Sequence, residues 1–142
     1  TSAVHIDLAA GIGSWNDAAG DGYYTIENVT GGSGNDTLIG DSNDNTLTGG
    51  AGDDTLTGGD GNDLFVFASG SGDDTINGFS VGSGSDDVLD LSSISSMTNL
   101  AAVVSASTTS GGNTVIDLGG DDSVTLIGVD SSNFHSDDFD FA

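Results

Sequence analysis

A nine-residue repeat runs in one phase through the middle of this chain and restricts the folds open to it. Residues 31–66 read GGSGNDTLI, GDSNDNTLT, GGAGDDTLT and GGDGNDLFV. A fifth unit, SGSGDDTIN at 69–77, follows the inserted pair Phe67–Ala68, and GYYTIENVT at 22–30 fits as a degenerate unit upstream. Self-similarity at a fixed period indicates stacked structural repeats, in which each unit buries its apolar face against its neighbours.

Each unit divides into a turn and a short strand. The first six residues are mostly Gly, Asn, Asp and Ser, which favour tight turns. The last three have a large apolar residue in the middle, which points inward when the segment is a strand. Two units complete one coil of 18 residues, so that alternate units stack directly. We therefore expect two inward ladders across a thin core, namely Leu38, Leu56 and Ile76 facing Leu47 and Phe65.

The chain is strongly acidic and contains no strongly basic side chain. There are 23 acidic residues and no Lys or Arg, which gives a formal net charge of −23, and Glu27 is the only glutamate. Nucleic acid and anionic membrane surfaces will not attract such a chain, so its expected small partners are cations. An acidic and glycine-rich composition is by itself also typical of disorder. The phased repeat favours a folded structure instead.

Stacking at 18 residues brings acidic turns together. It sets Asp36 over Asp54 and Asn45 over Asp63, and bare carboxylates so placed would repel one another. Calcium takes about six to eight oxygen ligands in flexible geometry and suits such a site, whereas magnesium demands a tighter octahedron. Zinc needs Cys or His ligands, but Cys is absent and the two histidines lie in different flanks. We expect several Ca²⁺ ions to bind between the stacked turns.

The repeat resembles the calcium-binding repeats of the RTX (repeats-in-toxin) family. The resemblance implies an all-β fold, a right-handed parallel β-roll followed by a small β-rich capping segment. It also implies which oxygens bind calcium: positions two, four and six of one turn act with positions one, three and six of the turn one coil later. Position six supplies its side chain, and the other positions supply main-chain carbonyls.

Carried over to this chain, the family scheme gives four sites. The first is Gly32, Gly34 and Asp36 with Gly49, Ala51 and Asp54, and the second is Asp41, Asn43 and Asn45 with Gly58, Asp60 and Asp63. The third is Gly50, Gly52 and Asp54 with Ser69, Ser71 and Asp74, and the fourth is Gly59, Gly61 and Asp63 with Gly82, Gly84 and Asp87.

The chain departs from the family pattern at two of these sites. Asn45 stands where the family has Asp, which removes one ligand charge from the second site. The Phe67–Ala68 insertion precedes the turn of the third site and is expected to shift it.

The chain is expected to have three parts: an N-terminal flank with the first coil at 1–30, the roll at 31–77 and a C-terminal cap at 78–142. In the first part, VHIDL predicts a strand, residues 11–22 a polar loop, and YYTIENV the first strand of the roll. Trp15 in the loop is expected to cover the open end of the roll's core.

Ordinary β patterning replaces the repeat in the C-terminal part. VLDL at 88–91 predicts a strand, and NTVIDL and SVTLIGV predict a hairpin. Residues 98–106 are expected to form a short helix capped by Thr98. The final ten residues, NFHSDDFDFA, resemble the C-terminal segments that type I secretion machinery recognises, which implies the C-terminal region of an exported bacterial protein.

The sequence contains no recognisable catalytic constellation: no GxSxG elbow lies near either histidine, and the paired carboxylates recur with the coil. We expect a noncatalytic, calcium-binding module that folds outside the cell and supports type I secretion and folding of a larger protein. The alternative is a self-assembling adhesion, surface-layer or fibre unit. Either way the chain is expected to be secreted, extracellular or at the cell surface, with no membrane insertion, because no apolar run approaches about 18 residues.

Overall fold

The computed structural model describes residues 2–14, 22, 25–82 and 87–141. Its strands are β1 His5–Asp7, β2 Ile12–Ser14, β3 Asn28–Gly32, β4 Thr37–Ile39, β5 Thr46–Gly50, β6 Thr55–Thr57, β7 Leu64–Val66, β8 Asp73–Asn77, β9 Val88–Asp90, β10 Ser107–Ser110, β11 Asn113–Gly119, β12 Asp122–Ile127 and β13 Phe139–Asp140. One α-helix, α1, spans Leu100–Ala106, and 3₁₀ turns lie at Ser131–Asn133 and Ser136–Asp138. The predicted all-β fold class is confirmed.

The strands form two sheets that alternate along the repeats. The larger sheet has the order β10-β11-β12-β8-β6-β4-β1-β2, and the smaller has the order β13-β9-β7-β5-β3. Strands from alternate repeats are parallel neighbours, as in a β-roll. Leu38 pairs with Leu56 and Leu56 with Ile76 in the larger sheet, and Leu47 pairs with Phe65 in the smaller one. The predicted stacking of alternate units is therefore confirmed.

The core of the roll is one side chain deep on each sheet. All five predicted ladder residues are fully buried, whereas the residues on either side of them in each strand are partly or fully exposed. From Asp36 onward, the position-six residues that precede the strands are also buried and form a second, polar ladder beside the apolar one. The turns thus place carboxylates at the border of the core.

The N-terminal flank supplies coils that the repeat pattern does not show. The predicted strand at VHIDL is β1, which is parallel to β4 and sets Ile6 beside Leu38, so it acts as the coil below the first regular unit. The degenerate unit also stacks as predicted, with Val29 beside Leu47. The expected loop at 11–22 is wrong in part, because β2 begins there and pairs antiparallel with β1. A tight turn closed by Gly11 N donating to Leu8 O (3.0 Å) makes this hairpin possible. Trp15 lies outside the described residues.

The C-terminal part continues both sheets. β12 is parallel to β8, with Leu126 beside Ile76, and β13 is parallel to β9, with Phe139 beside Leu89. The predicted hairpin is present as β11 and β12, and the predicted strand at 88–91 is present as β9.

The predicted helix is present as α1, but its expected cap is wrong. Asn99, not Thr98, is the N-cap, because the helix begins at Leu100 and the Asn99 side chain accepts a hydrogen bond from Ala102 N (3.0 Å). An Asn is as good a capping residue as Thr or better, so the capping chemistry was expected and its position was one residue off.

Candidate metal centres in the paired turns

The position-six residues form a continuous ladder across the turns. In each case the main-chain N–H of one residue donates to the side chain of the position-six residue one coil later. These bonds run from Asp36 N to Asp54 Oδ1 (2.7 Å), Asn45 N to Asp63 Oδ1 (2.8 Å), Asp54 N to Asp74 Oδ1 (2.9 Å) and Asp63 N to Asp87 Oδ1 (3.0 Å). The structure therefore places the two position-six residues of each of the four expected sites in direct contact.

The ladder leaves one oxygen of each of four carboxylates without a partner. Asp36, Asp54, Asp63 and Asp74 are 1–2% exposed. In each, Oδ2 is buried and accepts no hydrogen bond from any residue that the structure describes. Burying an ionised oxygen without a partner is costly. A small cation beside these oxygens would remove that cost, so the residues fit a metal site.

Main-chain carbonyls converge on the same oxygens. A Cβ added to Gly31 would touch both Asp36 Oδ2 and the carbonyl oxygen of Gly49, one coil later. A Cβ added to Gly40 would touch Asn45 Oδ1 and the carbonyl oxygen of Gly58. Glycine at position one thus lets a position-six oxygen and a carbonyl of the next coil approach the turn where any side chain would clash with both. Oxygen donors of this kind are the ligands that Ca²⁺ takes in proteins.

Glycines at positions two and four shape the later turns. Gly50 and Gly52 have φ of 112° and 114°, in the region that side chains with a Cβ rarely adopt. Gly52 is also packed so closely on the turn below that an added Cβ would lie 2.7 Å from the carbonyl oxygen of Gly34. The coils are therefore stacked at backbone contact along the turn edge, which holds carbonyls of two coils near one another.

Burial and mutual repulsion raise the pKa of three of the buried carboxyl groups, those of Asp54, Asp63 and Asp74. Burial raises the pKa of the Asp74 carboxyl to about 7, and the Asp54 carboxylate adds to the rise. Burial likewise raises the pKa of Asp63 to about 6, with a contribution from the Asp87 carboxylate. The pKa of Asp54 is raised for the same reason, with Asp36 adding to it. The turns are thus electrostatically unfavourable as bare carboxylates.

The second site differs from the others in its side-chain chemistry. Asn45 is buried, and its Oδ1 accepts a hydrogen bond from Asp41 N (2.7 Å). Its Nδ2 is buried too and donates to no residue that the structure describes. An amide here provides one neutral oxygen where the other turns have a carboxylate, so the second site has one ligand charge fewer.

The turns of the third and fourth expected sites differ from the regular turns. In the turn at 69–74, Asp74 joins the ladder while Ser69 and Gly70 are exposed and Ser71 is buried. In the turn of the fourth site, Asp87 joins the ladder through its Oδ1. The N–H of Gly82 in the same turn donates to Asp138 Oδ1 (3.0 Å), a residue outside the repeats. Gly84 lies outside the described residues. Among the described residues, no three His, Cys, Asp or Glu side chains are grouped so that they could hold one metal ion by themselves. Main-chain oxygens would therefore have to supply the remaining ligands.

Sequence reasoning missed two carboxylates that hold the last turns. Asp122 at the start of β12 accepts hydrogen bonds from Gly70 N (2.7 Å) and Gly72 N (3.1 Å). Asp138, just before β13, accepts them from Gly82 N and from His135 N (2.7 Å). Both aspartates lie outside the nonapeptide phase. The sequence signal that could have identified them is an Asp at or directly before the start of a strand that extends a sheet of the roll.

Comparison with known proteins agrees with this geometry. A family model described as the RTX calcium-binding nonapeptide repeat (4 copies) matches residues 29–65 and 66–80, which include β3 to β8. The crystal structure of the extracellular lipase LipA from Serratia marcescens is similar over 94% of this chain, with a TM-score of 0.62 and 25% identity. The present chain spans 23% of the length of that lipase.

The assignment of the repeats depends on the family match and on the geometry of the roll. No curated protein matched the chain. Within the described residues, no helix has the length and apolar character needed to cross a membrane. The family match, the parallel sheets and the carboxylate ladder coincide in one segment. Residues 29–80 of this chain are an array of RTX calcium-binding nonapeptide repeats.

Proposed function

We propose that this chain is a noncatalytic module that folds when calcium binds between its paired turns, and that this folding serves the export of a larger protein. The observation that carries the proposal is the set of buried carboxylate oxygens without hydrogen-bond partners, at Asp36, Asp54, Asp63 and Asp74. An enzyme would need a nucleophile, acid or base poised for a substrate. These carboxylates are instead bound to main-chain amides of the neighbouring coil.

The metal-free roll has little to hold it together. One large side chain per nine residues enters the core, while ordering the backbone costs roughly 1–2 kcal/mol per residue. The net charge of −23 adds repulsion throughout. Calcium, when bound, supplies the positive charge that offsets both the buried carboxylates and this repulsion. Folding and ion binding are then one process.

The donor assignment follows the four sites set out from the sequence. In the first, Asp36 and Asp54 supply carboxylate oxygens, and Gly32, Gly34, Gly49 and Ala51 supply carbonyls. In the others, the carboxylates come from Asp63, from Asp54 with Asp74, and from Asp63 with Asp87. The orphaned Oδ2 atoms support this assignment, because each belongs to a residue already held in place through its Oδ1 or its main-chain N–H.

Calcium titration by calorimetry tests the binding step. We expect several ions per chain, with a midpoint of roughly 0.1–1 mM, the range of extracellular calcium modules. Magnesium at the same concentration should bind far more weakly. If no calcium binds even at concentrations well above the millimolar range, the proposal loses its basis.

The proposed role in export rests on the same coupling. At the low free calcium inside a cell the roll would remain unfolded and able to pass a narrow channel, and it would fold outside. The absence of cysteine suits a chain that crosses unfolded, and the similarity to an extracellular lipase agrees with a location outside the cell. We assign type I secretion machinery as the partner, recognising the C-terminal segment 133–142.

A passenger fusion expressed with a type I exporter tests this partner. Deletion of residues 133–142 should abolish secretion, while a fusion that keeps this segment should be found in the medium. Undiminished secretion after the deletion would show that the signal lies elsewhere. Calcium binding measured on both purified fusions separates an export defect from a folding defect.

A self-assembling unit is the second candidate, and the N-terminal end of the roll favours it. β3 is the edge strand of the smaller sheet. An apolar cavity of about 200 Å³, lined by Ile6, Leu8 and Val29 among others, opens beside it. Stacking of another coil there would bury this surface. Light scattering that grows with calcium and protein concentration would support assembly, whereas a calcium-loaded monomer at all concentrations would exclude it.

A further inference from the structure

The regular turns share a contact between successive coils on each sheet. The N–H at position three donates to the carbonyl at position two of the coil before, from Ala51 to Gly32 O (2.8 Å) and from Asp60 to Asp41 O (3.1 Å). The glycine at position two sits directly on that same carbonyl: a Cβ added to Gly50 would touch Gly32 O. Position two and position three are thereby fixed to the coil below.

The turn at 69–74 breaks this contact. Ser71 N donates to Ala68 O within its own loop (3.2 Å) and not to the carbonyl of Gly50. A Cβ added to Gly70 would meet nothing within 4 Å, in contrast to its counterpart Gly50. The inserted Phe67–Ala68 pair thus lifts positions two and three from the coil below.

The rest of the turn keeps the regular geometry. A Cβ added to Gly72 at position four would lie 2.6 Å from Gly52 O, much as one on Gly52 would lie 2.7 Å from Gly34 O. Asp54 N donates to Asp74 Oδ1 as in the other turns. The carboxylates of the third site are therefore in place, and the disturbance is confined to the first half of the turn.

Position one of this turn has also changed. The glycines at position one in the earlier turns have no room for a Cβ beside their own position-six side chain, as at Gly49 and Gly58. Ser69 has a Cβ and is exposed, so it does not occupy that place. A cavity of about 280 Å³ opens here, lined in part by Gly50, Ser69 and Ser71. The three atoms nearest a Cβ added to Gly49 all belong to its own Asp54, whereas a Cβ added to Gly31 would touch the carbonyl oxygen of Gly49 in the next coil. The Ser69 carbonyl therefore does not lie against Gly49 in the way that the position-one carbonyl lies in the first two sites.

Ser71 is the position-three residue whose side chain turns inward. Its counterparts Ser33, Ser42, Ala51 and Asp60 are exposed, whereas Ser71 is 4% exposed. Its Oγ and Asp74 Oδ2 are both buried, and neither completes a hydrogen bond with a described residue. Ser71 and Asp74 belong to the same turn, three residues apart, so one turn contains both of these buried oxygens.

We propose that the Ser71 hydroxyl is a side-chain calcium ligand of the third site and replaces the oxygen that position one supplies in the regular turns. The inference rests on the proposed calcium-dependent function and adds a ligand type absent from the family scheme used above. A hydroxyl is a neutral oxygen donor of the kind that calcium accepts.

Three variants of the 142-residue chain test the proposal by calcium calorimetry and by the calcium midpoint of folding. Ser71→Ala removes the hydroxyl. Ser71→Cys keeps nearly the same shape but substitutes a soft sulfur, which is a poor calcium ligand. Ser42→Ala is the matched control, since Ser42 also stands at position three but is exposed. We expect one ion to bind about tenfold more weakly in both Ser71 variants, equivalent to about 1.4 kcal/mol, and no change in the control.

The outcomes are distinct. Binding in Ser71→Ala and Ser71→Cys that equals Ser42→Ala would overturn the ligand role. Weakening in Ser71→Ala alone would also overturn it, because it would indicate lost packing rather than a lost oxygen. Failure of the parent chain to bind calcium at all would contradict the proposed function itself. Circular dichroism at saturating calcium checks that each variant reaches the parent fold.

Discussion

Asp54 occupies the middle of the carboxylate ladder. Its Oδ1 accepts a hydrogen bond from Asp36 N, and its own N–H donates to Asp74 Oδ1, so it faces the first and the third site at once. Asp36 lies near the start of the ladder, where its Oδ1 accepts from Val4 N (2.8 Å) in the N-terminal flank. In the proposed scheme, equivalent positions in the repeat therefore differ in the number of ions that they would bind.

Asp54→Asn should raise the calcium midpoint of folding more than Asp36→Asn. Both substitutions keep an acceptor for the neighbouring N–H and remove one charge, but only Asp54 belongs to two proposed sites. We expect a shift of roughly tenfold for Asp54→Asn, or about 1.4 kcal/mol, and a smaller one for Asp36→Asn. Titration followed by circular dichroism measures both, and equal midpoints would contradict the stacking of sites.

Asn45→Asp should act in the opposite direction. It replaces a buried Nδ2 that has no acceptor among the described residues with an oxygen, and restores the missing ligand charge of the second site. The calcium midpoint should fall relative to the parent, while the metal-free protein should become no more ordered. An unchanged or higher midpoint would mean that Asn45 does not face an ion.

Acidification should have opposite effects with and without calcium. The pKa of Asp74 is about 7 and that of Asp63 about 6, against 3.8 for an ordinary Asp, so the folded metal-free chain binds more protons than the unfolded chain between about pH 4 and 7. Lowering the pH through this window in chelator should therefore favour the folded state. With calcium present, protons compete for the same oxygens and the midpoint should rise. Chelated protein whose spectrum is the same at pH 5 and pH 8 would contradict this.

At the scale of elements, the C-terminal hairpin is attached to the roll through a charged contact. The Asp122 carboxylate accepts two hydrogen bonds from the turn at 69–74, and Ser123 Oγ donates to Asp73 Oδ1 (2.7 Å). β12 then continues the larger sheet beside β8. The last turn of the repeats is thus covered by a strand with no repeat signature.

Asp122→Ala should weaken this attachment and destabilise the calcium-loaded fold by about 1.5 kcal/mol, the low end of the range for hydrogen bonds to a charged group, because the contact is exposed. Asp121→Ala is the control, since Asp121 is exposed and precedes the same strand. Chemical denaturation at saturating calcium measures both. Equal stability of the two variants would mean that Asp122 does not hold the turn.

The repeat predicted the regular elements well because each is encoded locally. Leu38, Leu56 and Ile76 recur with the turn residues that position them, so their stacking could be inferred without any long-range information. β1, which stands in for a coil below β4, has no turn signature and is defined only by its pairing. Likewise, the inward side chain of Ser71 results from a two-residue insertion whose effect depends on the coil beneath it. Contacts between distant segments could not be predicted from a local pattern.

At the scale of the whole molecule, the fold is a thin apolar ladder beside a column of buried carboxylates. The apolar ladder extends from β1 through the repeats to β12 and β13, and both sheets continue past the last repeat. The carboxylates oppose that structure through their own repulsion and desolvation. On the proposed function, cations at the turns would offset this cost for the entire chain.

The central claim is that at neutral pH this chain folds only when calcium is bound, and circular dichroism of the purified protein in chelator tests it most directly. The account predicts a disordered spectrum in chelator and a β spectrum on addition of calcium at roughly 0.1–1 mM, with magnesium at the same concentration producing much less change. A chelated sample with the same β spectrum as the calcium-loaded protein would contradict the claim.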